Sequence, residues 1–151
     1  MAIPDLAKLT GLPNKDLDLL RHIFNSTQLG ITIYSPESGW VDANDTFCNM
    51  LGYTRDELFM LGFRDIIHPE NTGVDKQLFG RLLDGDINHY SLDGRYVKKD
   101  GSSLYARVTI ESVRDQTGNT NYCIVFIQDL TDQRMTELAL VESEKQFQSL
   151  I

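Results

Sequence analysis

The chain has 151 residues, 41% of them hydrophobic and 24% charged, the make-up of one globular domain large enough to bury a core without disulfide or metal staples. Its 14 basic and 22 acidic side chains leave a net charge of −8, which repels phosphate backbones and anionic lipid heads and argues against nucleic-acid binding. No apolar run approaches the roughly 18 residues of a membrane span, and the opening MAIPDLAKLT lacks the cationic and apolar regions of a signal peptide.

The elements follow from pattern. Pro4 and Gly11 can open and close a short first helix. A second is predicted from Asn14 as N-cap, with Asp16 in its first turn. Leu17, Leu20 and Phe24 repeat there at helical spacing with Leu19 and Ile23 beside them, an apolar stripe that must pack on the domain or on a second copy. The period then changes. Gly30 to Tyr34 (GITIY) reads as a strand, Ser35, Pro36, Ser38 and Gly39 as a turn, and Trp40, Val41 and Ala43 as the returning strand of a hairpin. A short helix from about Asp45 to Leu51 stops at Gly52. Thr54 and Glu57 form a capping box that opens another short helix, ending near Gly62. His68-Pro69-Glu70 begins or interrupts a further helical turn. Val74 to Leu83 is a longer helix with Val74, Leu78 and Leu82 on one face and Gly85 beyond its end.

The last third is strand-like. Asn88 to Lys98 leads into Asp100-Gly101, a strong hairpin signal. Leu104, Ala106, Val108 and Ile110 alternate with Tyr105, Arg107, Thr109 and Glu111, a half-buried strand. Arg114 to Thr120 (RDQTGNT) turns the chain again. Tyr122 to Ile127 is apolar on both faces, as expected of a central strand covered on both sides. A final helix follows Asp129-Leu130-Thr131, with Met135, Leu138 and Val141 on roughly one side. The order predicts an α+β domain: one antiparallel sheet of about five strands with helices packed on one face. Cys48 and Cys123 lie far apart in apolar settings (TFCNM, YCIVF) with no metal spacing, so they read as buried free thiols of a reducing compartment, the cytoplasm.

These residues resemble a PAS domain with its C-terminal PAC motif, over roughly Leu17 to Arg134. Trp40-Val41-Asp42-Ala43-Asn44, through Phe47, to Leu51-Gly52-Tyr53-Thr54-Arg55-Asp56-Glu57-Leu58 is similar to the family's "N…F…LGY…EL" core. His68-Pro69-Glu70 matches its "HP" turn, Tyr96 to Ser102 its "DG" hairpin, and Asp129-Leu130-Thr131 its closing Asp-Ile-Thr, with Leu for Ile. The resemblance implies a five-stranded antiparallel sheet of order 2-1-5-4-3. It divides the chain into flanking helices at 1–25, a PAS/PAC domain at 26–131 and a C-terminal signalling helix at 132–151. The tail from Glu142 to Ile151 (ESEKQFQSLI) resembles the helix that opens another PAS domain in tandem arrays. A longer sensor parent is therefore expected, a two-component histidine kinase or a cyclic-di-GMP enzyme with GGDEF or EAL domains.

Candidate chemistry is sparse. There is no phosphate loop, HExxH or GxSxG. His22, His68 and His89 are scattered; His68, with Asp65 and Glu70 near it in sequence, reads as a turn residue held by Pro69 before it reads as an acid–base or metal ligand. Haem-binding members of the family resembled place a His on the long helix before the third strand, and Val74 to Leu83 has no His, Cys or Met. The light-sensing LOV branch has a reactive Cys in a motif resembling NCRFLQ, and the matching GFRDIIHP has none. The positions that hold flavin in that branch correspond to Tyr96, Ala106 and Ile127, none of them an amide. Haem and flavin are thus both disfavoured.

The interior is expected to be mostly apolar. Its inward faces are assigned to Ile31 and Ile33, to Phe47, Met50 and Leu51, to Ile66 and Ile67, and to Leu78 and Leu82. From the last three strands come Tyr96, then Ala106, Val108 and Ile110, then Cys123, Val125 and Ile127. These residues form either a closed core or a small cavity for an apolar or amphipathic ligand, with Tyr96 supplying a hydroxyl. Asp129 and Thr131 can cap the exit helix and so serve as a joint that passes a shift of the sheet to that helix. Outward-facing Ile124 and Phe126, with the helix stripe, point to a homodimer through the N-terminal helix and the outer sheet face.

With no coherent nucleophile, base or metal set, the chain reads as a sensory or relay module without catalysis of its own, feeding an output domain of the same parent chain. A purely structural dimerisation module with a filled core and a small stand-alone α+β enzyme are the alternatives.

Overall fold

The computed structural model describes residues 11–150, so the expected short helix between Pro4 and Gly11 lies almost wholly outside the described residues. Helix α1 spans Asn14–Ser26. Pro13, rather than Asn14, occupies its cap position: the extended proline offers its carbonyl to the amides of Asp16 and Leu17 at 3.0 and 3.1 Å, and Asn14 becomes the first helical residue. Strands β1 (Gly30–Ser35) and β2 (Gly39–Ala43) form the hairpin. Helix α2 (Asp45–Leu51) ends on Gly52 in the left-handed conformation, at φ 81°, where a side chain would be strained. Helix α3 (Arg55–Phe59) carries the capping box of Thr54 and Glu57.

A 3-10 turn (Phe63–Ile66) leads to helix α4, which runs unbroken over Pro69–Asp84. This corrects the shorter helix expected from Val74. Pro69 at the first helical position needs no amide partner, and His68 caps the helix by accepting the Glu70 amide at Nδ1, 3.2 Å away. The inward face is also shifted: Val74 is exposed, while Asp75, Phe79 and Leu82 face the sheet. Strands β3 (His89–Val97), β4 (Ser103–Arg114) and β5 (Thr120–Asp129) follow, then helix α5 (Thr131–Ser149).

The sheet has the order β2-β1-β5-β4-β3, with every neighbouring pair antiparallel. Directly paired residues share a face, so the register assigns the two sides. Val125 sits opposite both Thr32 and Ile110, and Ile127 opposite Gly30 and Val108; these line the core side. Phe126 opposite Ile31, and Ile124 opposite Ile33, line the outer side. The inward assignment of Ile31 and Ile33 is therefore wrong by one residue of parity. Thr32 and Tyr34 take the inner side, and the Thr32 hydroxyl is satisfied there by donating to the Asp42 carbonyl at 2.8 Å. The apolar content of GITIY cannot reveal that its Thr is buried and its two Ile are turned out.

Helices α2, α3 and α4 cover the inner face. Phe47, Leu51, Leu58, Ile66 and Leu82 pack on Leu104, Ala106, Val108, Ile110, Val125 and Ile127 in one continuous core. Gly30 permits a close approach: a Cβ there would come within 3.2 Å of the Phe47 backbone and of the Met50 sulfur. Helix α1 lies against the outer face, burying Leu17 but leaving Leu19, Leu20 and Ile23 exposed. The outer residues of β5, namely Tyr122, Ile124 and Phe126, are only half-buried, so this strand is covered fully on one side and partly on the other. Among the described residues no helix is long and apolar enough to cross a membrane.

Candidate functional site

Three places carry more than packing: a cavity on the inner face, and the two joints where flanking helices meet the sheet. The cavity, about 310 Å³, opens between the 3-10 turn, α4 and the strands. Its floor is Ile110, Cys123 and Val125, its walls include Tyr34, Phe63 and Phe79, and Arg64, Asp75 and Lys76 carry charge around it. Of the residues assigned to a pocket from sequence, only Ile110, Cys123 and Val125 line it. Phe47, Ile66, Leu82, Ala106, Val108 and Ile127 are packed solid, Tyr96 is buried, and Met50 and Leu78 pack at the edge of the core. The three positions matched to flavin contacts, Tyr96, Ala106 and Ile127, thus lie in filled space.

Electrostatics follow burial. One oxygen of Asp75 accepts the buried Tyr90 hydroxyl at 3.1 Å. Desolvation raises the Asp75 pKa, against the opposing pull of the Tyr90 bond and of nearby Arg64. Tyr90 and Tyr96 are both shifted upward, first by burial and then by the Asp75 charge. Burial pushes the Cys123 thiol up to about 11 and also raises Cys48, so both stay protonated and unreactive at neutral pH. His68 is the cap of α4, with Glu70 Oε2 3.9 Å from its Nδ1. Among the described residues no group of His, Cys, Asp or Glu is placed to hold a metal ion.

The N-terminal joint centres on Asn44, whose side chain is fully buried and fully used. Its Oδ1 accepts the amides of Ile31 and Phe47, both at 2.9 Å. Its Nδ2 donates to the carbonyls of Phe24 at 2.7 Å and Leu29 at 3.0 Å. One side chain thereby ties the end of α1, the start of β1 and the first turn of α2. Beside it, Asp42 is raised by burial, while Arg55, 3.3 Å away, and Arg21 of α1 pull it back.

The C-terminal joint is built differently. Asp129 Oδ1 accepts the Thr131 amide at 2.8 Å, an exposed bond. Thr131 thus enters the cap through its backbone. Between them Leu130 is buried, donates its amide to the Tyr105 carbonyl at 2.8 Å and accepts the Arg134 amide at 2.8 Å. The Arg134 guanidinium lies over the Tyr105 ring, 5.4 Å from its centre. Beyond this α5 buries nothing, and Met135, Leu138, Leu140 and Val141 are exposed. A second, apolar groove of about 320 Å³ lies on the outer face, between α1 (Leu20, Ile23, Phe24) and Ile31 and Ile33.

Sequence reasoning missed Asp75, Arg64 and Phe79 at the cavity, and Leu130, Tyr105 and Arg134 at the joint. One signal was present. Asp75, Phe79 and Leu82 share helical spacing, so a carboxylate stands in the register of the apolar face.

The family model for the PAS domain matches residues 28–132, and the chain belongs to that family. It is 31% identical over 117 residues, 78% of its length, to the probable diguanylate cyclase DgcE of Escherichia coli K12. It is 23% identical over 124 residues, 82% of its length, to the sensor histidine kinase TmoS of Ectopseudomonas mendocina. The chain spans only 11% and 13% of those two proteins. The crystal structure of the PAS domain of a Colwellia psychrerythraea protein overlays with a TM-score of 0.69 at 13% identity, covering 78% of this chain and 98% of that one, a likeness of fold. The domain is therefore homologous to sensor domains of diguanylate cyclase and histidine kinase proteins.

Proposed function

We propose that the chain is a sensory relay module without catalysis of its own, which biases an output domain of the same parent chain by changing how α5 leaves the sheet. The observation that carries this reading is the C-terminal joint. Asp129 and Leu130 hold the first turn of α5 against β4, while the apolar side chains further along it stay uncovered, as a helix needs if it is to work on another domain. The output is a histidine kinase or cyclic-di-GMP activity, by analogy with the relatives matched. Asp129→Ala in the parent chain tests the relay, with Thr131→Ala, which keeps the capping amide, as its control: output changes in the first while the domain remains folded. Unchanged output from a folded Asp129→Ala domain rejects it.

The second part of the proposal is a homodimer through α1 and the outer sheet face. Exposed Leu19, Leu20 and Ile23 and the adjoining apolar groove support it. Leu20→Asp with Ile23→Asp should then lower the mass found in sedimentation; a mass equal to one chain before and after the change rejects the dimer. The third part is that the domain holds neither haem nor flavin, supported by an α4 that has no His, Cys or Met and by the filled space around Tyr96, Ala106 and Ile127. An absorption spectrum of the purified protein decides it, and a Soret or flavin band at full occupancy overturns it.

A further inference from the structure

The inner-face cavity has a charge arrangement that its packing does not explain. Asp75 and Lys76 of α4 and Arg64 of the 3-10 turn all border it. Arg64 is close enough to Asp75 to lower the proton affinity of the carboxylate, yet the two form no ion pair. Among the described residues Lys76 forms none either. Opposite charges held beside one opening without closing on each other leave room for a molecule that carries both signs. The Tyr90 hydroxyl binds Asp75 Oδ1 and so orients the carboxylate, whose Oδ2 has no hydrogen-bond partner among the described residues. The interior beyond the charges is apolar and aromatic, with Phe63 and Phe79 among its walls. At about 310 Å³ the space is at the small end of the roughly 300–1,000 Å³ typical of small-molecule sites, which suits a compact metabolite and not a dinucleotide.

We propose that this cavity binds a free apolar or aromatic α-amino acid, its ammonium at Asp75, its carboxylate between Arg64 and Lys76, and its side chain against Phe63 and Phe79. Each part of the ligand answers a feature of the wall. A carboxylate takes charge-assisted bonds from guanidinium and ammonium groups. An ammonium compensates a carboxylate whose burial is otherwise unfavourable. The side chain replaces water on an apolar surface. A fatty or aromatic monocarboxylate would meet the two cations but would set its charge against Asp75, and a simple amine would leave both cations unanswered. The proposal rests on the sensor reading for its biological consequence only; the binding itself does not depend on how α5 leaves the sheet.

Titration calorimetry on the 151-residue chain with L-phenylalanine and L-leucine tests it, against 3-phenylpropionate, which lacks the ammonium, and 2-phenylethylamine, which lacks the carboxylate. The amino acids should bind, and each one-charge analogue should bind at least about tenfold more weakly, the loss of roughly 1.4 kcal/mol expected for one charge contact. Arg64→Gln should weaken L-phenylalanine by about that factor and leave 2-phenylethylamine unaffected. Asp75→Asn, which keeps an acceptor for Tyr90, should weaken L-phenylalanine and leave 3-phenylpropionate no weaker. No binding of either amino acid at about 1 mM overturns the proposal, as does equal binding of an analogue and its parent. Loss of binding in Asp75→Asn alone is read only with an unchanged melting temperature; Arg64→Gln, on an exposed side chain, supplies the independent arm. Failure here leaves the Asp129 and Thr131 test of the relay untouched, and failure of that test leaves the calorimetry untouched.

Discussion

The two joints of this domain hold their helices by opposite means. At the N-terminal joint, the fully buried Asn44 side chain makes four hydrogen bonds, to groups of α1, the loop after it, β1 and α2. Hydrogen bonds are directional, so four of them converging on one amide fix an angle as well as a position. At the C-terminal joint the ties are the buried side chain of Leu130, a single backbone bond from its amide to the Tyr105 carbonyl, and the exposed capping bond from Thr131 to Asp129. Apolar burial is non-directional; it holds a point and leaves rotation about that point inexpensive. The lesson is that one flanking helix is fastened to the sheet and the other is pinned to it.

The largest expected effect breaks the fastened side. Asn44→Ala takes the buried side-chain partner from the amides of Ile31 and Phe47 and from the carbonyls of Phe24 and Leu29. A buried polar group without a partner costs about 1–3 kcal/mol, so the loss should be on the order of 3 kcal/mol or more in chemical denaturation, a large share of a typical domain stability of about 5–15 kcal/mol. Asn44→Asp sharpens the point. It retains the acceptor for the two amides but sets a carboxylate against two carbonyl oxygens, so it should remain well below the parent chain in stability. If Asn44→Ala melts like the parent chain, the N-terminal joint is no firmer than the other and the contrast fails.

Next comes the pin. Leu130→Ala removes a side chain that is only 4% exposed and leaves a cavity between α5 and β4. Truncations of this kind cost about 2–5 kcal/mol in a closed core; at the end of a sheet, where the first turn of α5 can settle, the lower end is expected. Hydrogen exchange should then show the Arg134 and Met135 amides losing protection while those of β4 and β5 keep theirs. Equal loss across the sheet would mean that Leu130 is part of the global core and not a local pin.

The fold was legible because its signals are local and repeated. Alternation in β4, the capping box at Thr54 and Glu57, and the glycine stops at Gly52 and Gly85 each state their element within a few residues, and the structure has them as read. Strand parity in β1 was not legible, since it depends on the Thr32 hydroxyl finding a hydrogen-bond acceptor across the hairpin. The cavity was legible only in part. Its floor follows from the alternation of β4 and β5, whereas its charged groups depend on which face of α4 turns inward. Taking Val74, Leu78 and Leu82 as that face hid Asp75. The joints divide in the same way: Asp129 shows itself as a cap by its place before a helix, but the ties from Leu130 and Arg134 to Tyr105 span the distance from β4 to α5 and leave no trace in local pattern.

A smaller effect is expected at the cap. Asp129→Ala should cost about 1 kcal/mol, the usual loss when a helix start gives up its side-chain acceptor. In the parent chain it should nonetheless change output, because the bond it removes orients the first turn of α5. A stability loss comparable to that of Leu130→Ala would make Asp129 structural and place the pin at two residues instead of one.

The smallest effect decides how freely α5 can swing. The Arg134 guanidinium lies over the Tyr105 ring, and the Tyr105 carbonyl also receives the Leu130 amide, so the same residue of β4 meets α5 through its backbone and its ring. A cation over an exposed ring is worth about 0.5–1 kcal/mol. Arg134→Met keeps the apolar stem on the ring and removes the charge, so it should lose about 0.5 kcal/mol, and Tyr105→Leu should lose the same interaction from the other side. In a double-mutant cycle the two losses should overlap, the pair costing less than the sum of its parts. A coupling close to zero would leave Leu130 and the Asp129 cap as the only ties between sheet and helix, a looser hinge than the structure draws. A coupling above about 1 kcal/mol would make the contact a second directional hold, and the two ends of the domain would then differ less than their hydrogen bonds indicate.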